Sequence, residues 1–214
     1  HENQVQVHSE HAQLAVDALL IASGRQPATA SLHPENAGIA VNERGAIVVD
    51  KRLHTTADNI WAMGDVTGGL QFTYISLDDY RIVRDELLGE GKRSTDDRKN
   101  VPYSVFMTPP LSRVGMTEEQ ARESGADIQV VTLPVAAIPR ARVMNDTRGV
   151  LKAIVDNKTQ RMLGASLLCV DSHEMINIVK MVMDAGLPYS ILRDQIFTHP
   201  SMSESLNDLF SLVK

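Results

Sequence analysis

Thr55-Thr56-Ala57-Asp58-Asn59-Ile60-Trp61-Ala62-Met63-Gly64-Asp65-Val66 is the stretch on which the reading of the chain turns. Its apolar run, Ile60 to Met63, reads as a short buried strand that ends abruptly in Gly64-Asp65. Glycine carries no Cβ, so a bulky ligand could approach the backbone at Gly64. Asp65 would then present its carboxylate at the carboxyl end of a strand, where open α/β sheets bind nucleotides and where sugar hydroxyls are natural donors. A bare Gly-Asp pair is also ordinary turn chemistry, because aspartate bonds readily to its own backbone.

The neighbours on both sides extend this picture. Upstream, Gln4-Val5-Gln6-Val7 lies within an alternating strand from Asn3 to His8. Ser9-Glu10-His11 makes a turn, and Gln13 to Ile21 is a nearly continuous apolar run, so a hairpin feeding a buried strand is expected. His8 and His11 flank that turn without a third ligand, which gives no metal site. In Ala22-Ser23-Gly24-Arg25-Gln26-Pro27, Gly24 permits a tight exit from the strand and Pro27 forbids helix. Arg25 could neutralise a pyrophosphate or pair with a surface acid. Asn42 to Asp50 reads as a turn and an edge strand. Downstream, Thr67-Gly68-Gly69-Leu70 is a loop, and Phe72 to Leu88 has helical spacing. Ile75, Ile82, Val83 and Leu87 share one face there, and Gly89 and Gly91 stop the helix.

A charged run, 91–100, marks a domain boundary. Beyond it Val101 to Met107 reads as a strand, and Thr117-Glu118-Glu119-Gln120 as a capping box opening a helix that ends near Gly125. Ile128 to Val135 is a further strand. Val150 to Val155 and Met162 to Val170 flank a polar turn as a hairpin. Asp171-Ser172-His173-Glu174 is expected to cap a Met-rich helix that runs to Ala185 and Gly186, and two short helices follow. Strands with helices to one side predict α+β architecture for this half.

Phe197-Thr198-His199-Pro200-Ser201-Met202-Ser203-Glu204 holds the strongest chemical constellation. A residue before proline is held out of the α region, so His199 cannot continue a helix. Glu204, in the first turn of the next helix, can point back at it. A carboxylate on one imidazole nitrogen selects the tautomer and frees the other nitrogen for proton transfer. Ser201-x-x-Glu204 is also a good capping box, in which the carboxylate would only satisfy backbone donors.

Together these strings resemble the class I flavoprotein disulfide reductases, or pyridine nucleotide-disulfide oxidoreductases, which include glutathione, lipoamide and mercuric reductases. Thr55 to Val66 looks like their second flavin-contacting motif, and Ala22 to Pro27 like the A-T-G-R-x-P return into the FAD domain, with Ser23 where threonine is usual. Thr108-Pro109-Pro110 and Val114 to Glu118 look like their interface domain. His199 and Glu204 match H-P-x-x-S-E, the acid/base signature that reaches the other subunit's flavin and protonates or deprotonates a thiol. The resemblance implies an α/β remnant of nucleotide-binding domains followed by an α+β interface domain with an antiparallel sheet and flanking helices. It assigns 1–21 to the end of an NAD(P)-binding domain, 22–91 to the FAD-binding domain, 92–100 to a linker and 101–214 to dimerisation. Cofactor contacts are expected at Gly64, Asp65, Arg25 and the helix start Gln71, Phe72 and Thr73, where backbone N–H groups would face the flavin. FAD and NAD(P)H are the implied cofactors, and a second copy of the chain and a disulfide or metal-ion acceptor the implied partners.

Within that family Leu70-Gln71-Phe72-Thr73-Tyr74 looks like the mercuric-reductase branch. That enzyme, however, carries tyrosine at the position of His199 and ends in a cysteine pair, where this chain ends in Ser211-Leu212-Val213-Lys214. The bacterial flavoproteins of reactive-chlorine resistance are the nearer likeness, which implies a role in oxidative stress. Neither a G-x-G-x-x-G fingerprint nor a C-x-x-x-x-C pair is present, so the chain is expected to be the C-terminal part of a longer flavoenzyme and inactive alone. A non-catalytic dimerisation module and a mercuric-type metal-ion reductase are the rival readings.

Composition adds exclusions. A formal charge of −6 without a long basic run argues against nucleic acid. No apolar run approaches a membrane span. One cysteine, Cys169, lies in an apolar run as a core thiol, which together with the absence of a Cys framework suggests the cytoplasm. His173-Glu174-x-x-Asn177 lacks the second histidine of a zinc helix. Met175, Met181 and Met183 read as core packing, and Arg140, Arg142 and Arg148 receive no role.

Overall fold

The structure, a computed structural model, describes residues 4–214, so Asn3 of the expected first strand lies outside the described residues. The chain divides into two compact units, one ending at Asp97 and the other spanning Arg98–Lys214.

In the first unit, β1 (Val5–His8) and β2 (Gln13–Val16) form the expected antiparallel hairpin. Ser9 closes its turn by accepting the amides of His11 and Ala12. The pairing Val5↔Val16 and Val7↔Leu14 puts four apolar side chains on one face. The buried strand expected to follow is absent. Residues 17–22 form no strand, and Leu20 and Ile21 are 88% and 79% exposed. Burial of a strand requires neighbours along both edges, and no described strand pairs with this run.

Ile60 to Met63 corrects the reading in the same way. It contributes a single bridge, Trp61↔His54, and only Ala62 is buried. The edge strand of 42–50 likewise reduces to the bridge Val41↔Ile47 around a turn, where the Asn42 side chain accepts the amides of Arg44 and Ala46. Gly64–Thr67 is a 3-10 turn leading to α1 (Thr73–Leu88). That helix buries Ile75, Ile82 and, unexpectedly, Asp79, while Leu87 faces solvent. Asp79 is tolerated inside because its carboxylate accepts the Gly64 amide at 2.7 Å. Gly89 stops α1, and Asp85 gathers the amides of Glu90, Lys92 and Arg93 behind it.

The second unit is a five-stranded antiparallel sheet. Its strands are β3 (Tyr103–Val105), β4 (Leu111–Gly115), β5 (Ile128–Pro134), β6 (Val150–Asp156) and β7 (Met162–Leu168), in the order β3-β4-β7-β6-β5. Its helices are α2 (Glu118–Glu123), α3 (Pro139–Val143), α4 (Ser172–Asp184), α5 (Ser190–Asp194) and α6 (Ser205–Ser211). Register places Val114, Ala165, Ala153 and Val131 in one row of one face. They share a core with Leu151, Leu167, Met175, Ile176, Val179, Leu206, Leu209 and Phe210. The small alanines of the central strands let the helices sit close to the sheet. Thr117 and Gln120 form the expected reciprocal capping box. Asp171 does not cap α4 with its side chain: it sits in the left-handed region at φ 60°. Two elements, β4 and α3, were not legible as such beforehand. The division between the units falls inside the polar run 91–100.

Candidate functional site

The first unit carries an open cleft of about 740 Å³ lined by Ser23, Gly24, Arg25, Arg44 and residues 68–72. Three of the expected cofactor residues, Arg25, Gln71 and Phe72, line it, Thr73 stands just beyond as the first residue of α1, and Gly64 and Asp65 are not in the lining. Hydrogen bonding of α1 begins with the amides of Ile75 and Ser76, both onto the Phe72 carbonyl. The amides of Thr73 and Tyr74 therefore have no acceptor within the helix, and no acidic side chain occupies its first turn. Such a terminus attracts an anion.

Asp65 lies on the 3-10 turn, about half exposed, with its Oδ2 3.4 Å from Arg25 Nη1. An exposed pair at that separation contributes little to stability, so both groups remain available to a ligand. Gly64 departs from expectation. Its φ of 78° already demands glycine, and a Cβ there would meet Ser76 Oγ at 3.0 Å. Packing of the turn on α1 is thus by itself a reason for glycine here. Gly68 obeys the same logic, since its Cβ would lie 2.7 Å from that of Ala46. Sequence reasoning missed Arg44. It sits on the 42–45 turn and reaches the cleft only because Asn42 and Ala46 pack beside Gly68.

Two guanidinium groups line the cleft beside the helix start, and the Asp65 carboxylate stands next to Arg25 outside the lining, a set that suits an anionic ligand also carrying hydroxyls, such as a flavin dinucleotide. For a nicotinamide cofactor the chain has no G-x-G-x-x-G cradle.

The second unit brings His199 and Glu204 together. His199 Nδ1 lies 2.8 Å from Glu204 Oε2, with the histidine side chain 72% exposed and the glutamate 17%. The other carboxylate oxygen, Oε1, accepts the Ser201 amide at 3.2 Å, and Ser201 Oγ accepts the Glu204 amide at 3.2 Å. Glu204 thus makes both contacts at once: one oxygen accepts the Ser201 amide in a reciprocal pair with Ser201 Oγ, and the other bonds the imidazole. Nδ1 is engaged, so Nε2 is the nitrogen left for proton exchange.

The remaining candidates resolve as packing or surface chemistry. Cys169 is fully buried, and burial pushes its thiol up to about 12, with Asp171 and Asp146 adding to the effect, so it stays protonated and unreactive. His173 Nε2 stands 3.9 Å from Glu174, and no cluster of three metal-ligating residues exists among the described residues. Met175 is buried while Met181 is exposed, so the methionines do not converge. Arg142 donates to the Ala136 carbonyl, and Arg148 chelates Asp146, whose carboxyl it holds below its usual range. Among the described residues no helix is long and apolar enough to cross a membrane.

Comparison with known proteins agrees with this arrangement. Residues 101–210 match the dimerisation domain of the pyridine nucleotide-disulphide oxidoreductases, and residues 1–79 match the pyridine nucleotide-disulphide oxidoreductase family itself. A mercuric reductase of Staphylococcus aureus is 35% identical over 202 residues, covering 94% of this chain and 37% of that protein. One from Streptomyces lividans is 36% identical over 194 residues, or 91% of this chain and 41% of the relative. The chain therefore spans well under half the length of these relatives. The crystal structure of LpdA from Mycobacterium tuberculosis superimposes with a TM-score of 0.89 at 23% identity, covering 100% of this chain and 47% of that one, a likeness that speaks to the fold. On these matches, the chain belongs to the pyridine nucleotide-disulphide oxidoreductase family.

Proposed function

We propose that these residues form the C-terminal part of an FAD-dependent NAD(P)H oxidoreductase that passes electrons to a disulfide or metal-ion acceptor. Residues 1–21 close its NAD(P)-binding domain and 22–91 complete its FAD-binding domain. Residues 92–100 link these to the interface domain, 101–214, through which two copies pair. FAD supplies the redox chemistry when bound. Asp65 accepts from its hydroxyls, Arg25 balances its phosphates, and Gly64 shapes the turn that carries Asp65. The N–H groups of Gln71 and Thr73 present positive potential to its anionic ring edge, with Phe72 between them lining the cleft and its amide bonded to the Leu70 carbonyl.

The observation that carries the reading is the 2.8 Å contact between His199 Nδ1 and Glu204 on an exposed loop. It leaves Nε2 as a proton donor and acceptor for a thiol of the partner's redox pair or of the substrate. In the full-length flavoenzyme, His199→Gln is expected to lower disulfide turnover by roughly 10²-fold or more, at unchanged flavin content. Unchanged turnover would remove His199 from the chemistry. The 214 residues contain one cysteine and no nucleotide fingerprint, so the purified chain is expected not to oxidise NAD(P)H even with added FAD.

A second reading, a metal-ion reductase, is favoured by the mercuric reductases among the relatives. Under it, turnover with a soft metal ion would survive His199→Gln while disulfide turnover would be absent from the start. The reactive-chlorine-resistance likeness belongs with the first reading, in which the acceptor is not mercury.

A further inference from the structure

The segment around His199 itself makes few apolar contacts. Between α5 and α6, Ile196 is 93% exposed, and Thr198, His199 and Pro200 are exposed as well. Phe197 packs partly on the core and Met202 is buried in it, on either side of that exposed segment. The two flanking helices are firmly seated, by Leu192 on one side and Leu206, Leu209 and Phe210 on the other. Beside their packing in one core, a single polar side chain ties them together. Asn207 Nδ2 donates to the carbonyls of Leu192 at 2.7 Å, Arg193 at 3.0 Å and Gln195 at 3.0 Å. These are the carbonyls at and just beyond the end of α5, which the helix itself cannot satisfy.

Asn207 also touches the other end of the loop. Its own amide donates to the Glu204 carbonyl at 3.0 Å, and the Glu204 carboxylate holds His199. A continuous chain of bonds therefore runs from the end of α5, through Asn207 and Glu204, to His199 Nδ1. The site calls for a side-chain donor: a carboxylate would face three carbonyl oxygens and repel them, and leucine would leave them without this partner.

We propose that Asn207 is the positioning residue of the acid/base pair, setting the spacing of the two helix ends so that Glu204 meets Nδ1 of His199 and the ring keeps its Nε2 free. This rests on the reading of His199 as the acid/base residue. It can fail separately, because its test reads ring geometry rather than turnover.

The test is long-range imidazole 15N–1H correlation on the labelled 214-residue chain, at a pH where the rings are neutral. The His199 signals are assigned by their absence from His199→Gln, and amide spectra of β6 and β7 monitor the fold. In the wild-type chain His199 is expected to carry its proton on Nδ1, as donation to Glu204 requires. In Asn207→Leu the signals should move to the Nε2–H form that predominates in free histidine, with β6 and β7 amides unmoved. Asn207→Ser, which keeps one donor, should fall between. An Nδ1–H signature that persists in both variants overturns the proposal, as does an Nε2–H signature in the wild-type chain. A change seen only together with loss of the β6 and β7 signals in both variants also overturns it, since that is general unfolding.

Discussion

The two units treat similar apolar sequence in opposite ways. In the second, Leu151, Leu167 and Val114 sit on paired strands and vanish from solvent. In the first, Leu19, Leu20 and Ile21 form an equally apolar run that pairs with nothing described and stays exposed. Hydrophobicity selects burial only where neighbouring strands take up the backbone N–H and C=O groups, because an unpaired backbone carries its own cost into the interior. The second unit contains those neighbours within its own residues; the first has a hairpin, turns and one long helix.

The sharpest way to break this contrast is to remove a large side chain on each side. Phe210→Ala should destabilise the second unit by about 3–5 kcal/mol, read as a fall in the urea midpoint by far-UV circular dichroism. Leu20→Ser should stay within about 0.5 kcal/mol. Comparable losses would mean that the exposed run is packed in solution.

Two glycines in the left-handed region refine the same point at smaller scale. Gly149, at φ 107°, would place a Cβ 1.9 Å from the Leu168 carbonyl oxygen, whereas Gly24, at φ 114°, has nothing within 4 Å. Gly24→Ala should cost only the backbone term, roughly 1–2 kcal/mol. Gly149→Ala should cost more than that and should disturb the amide signals where β6 meets β7. Equal costs would show that backbone strain, not the close approach of strands, governs both.

The smallest effect concerns acid. Lys152, and then Arg122, hold the Glu118 carboxyl below its usual range on the surface of the sheet unit. A carboxyl lowered in the folded state binds its proton more readily in the unfolded chain. Its contribution is therefore complete above the ordinary carboxylate range and is lost as pH falls through the lowered value. Glu118→Gln should flatten the decline of the urea midpoint below about pH 4.5 while changing it little at pH 7. An unaltered acid limb would mean that the pair is not formed in solution.

Much of the second unit was legible beforehand. The capping box at Thr117 and Gln120, the β6–β7 hairpin and the tail helices all announce themselves within a few residues, because turns and caps are local chemistry. β4 escaped notice since Ser112 and Arg113 interrupt its apolar pattern. Ser112 is nevertheless buried, its hydroxyl bonded between Ser104 and Ser172. In the first unit Ile60 to Met63 misled for the converse reason: an apolar run says what would be comfortable in a core, not whether a neighbour exists.

By itself the sequence determined that His199 and Glu204 stand within reach of each other, that Asp65 follows a glycine turn, and that a helix starts after Gln71. Each of these depends on residues a turn or less apart, whose geometry the backbone dictates. Only the tertiary structure decided that Glu204 bonds the Ser201 amide and the imidazole together, that Arg44 joins Arg25 at one cleft, and that Asn207 fastens the end of α5. Those meetings span distant residues and depend on which helices the core seats beside which loops, a choice made by packing of the whole unit rather than by any local pattern.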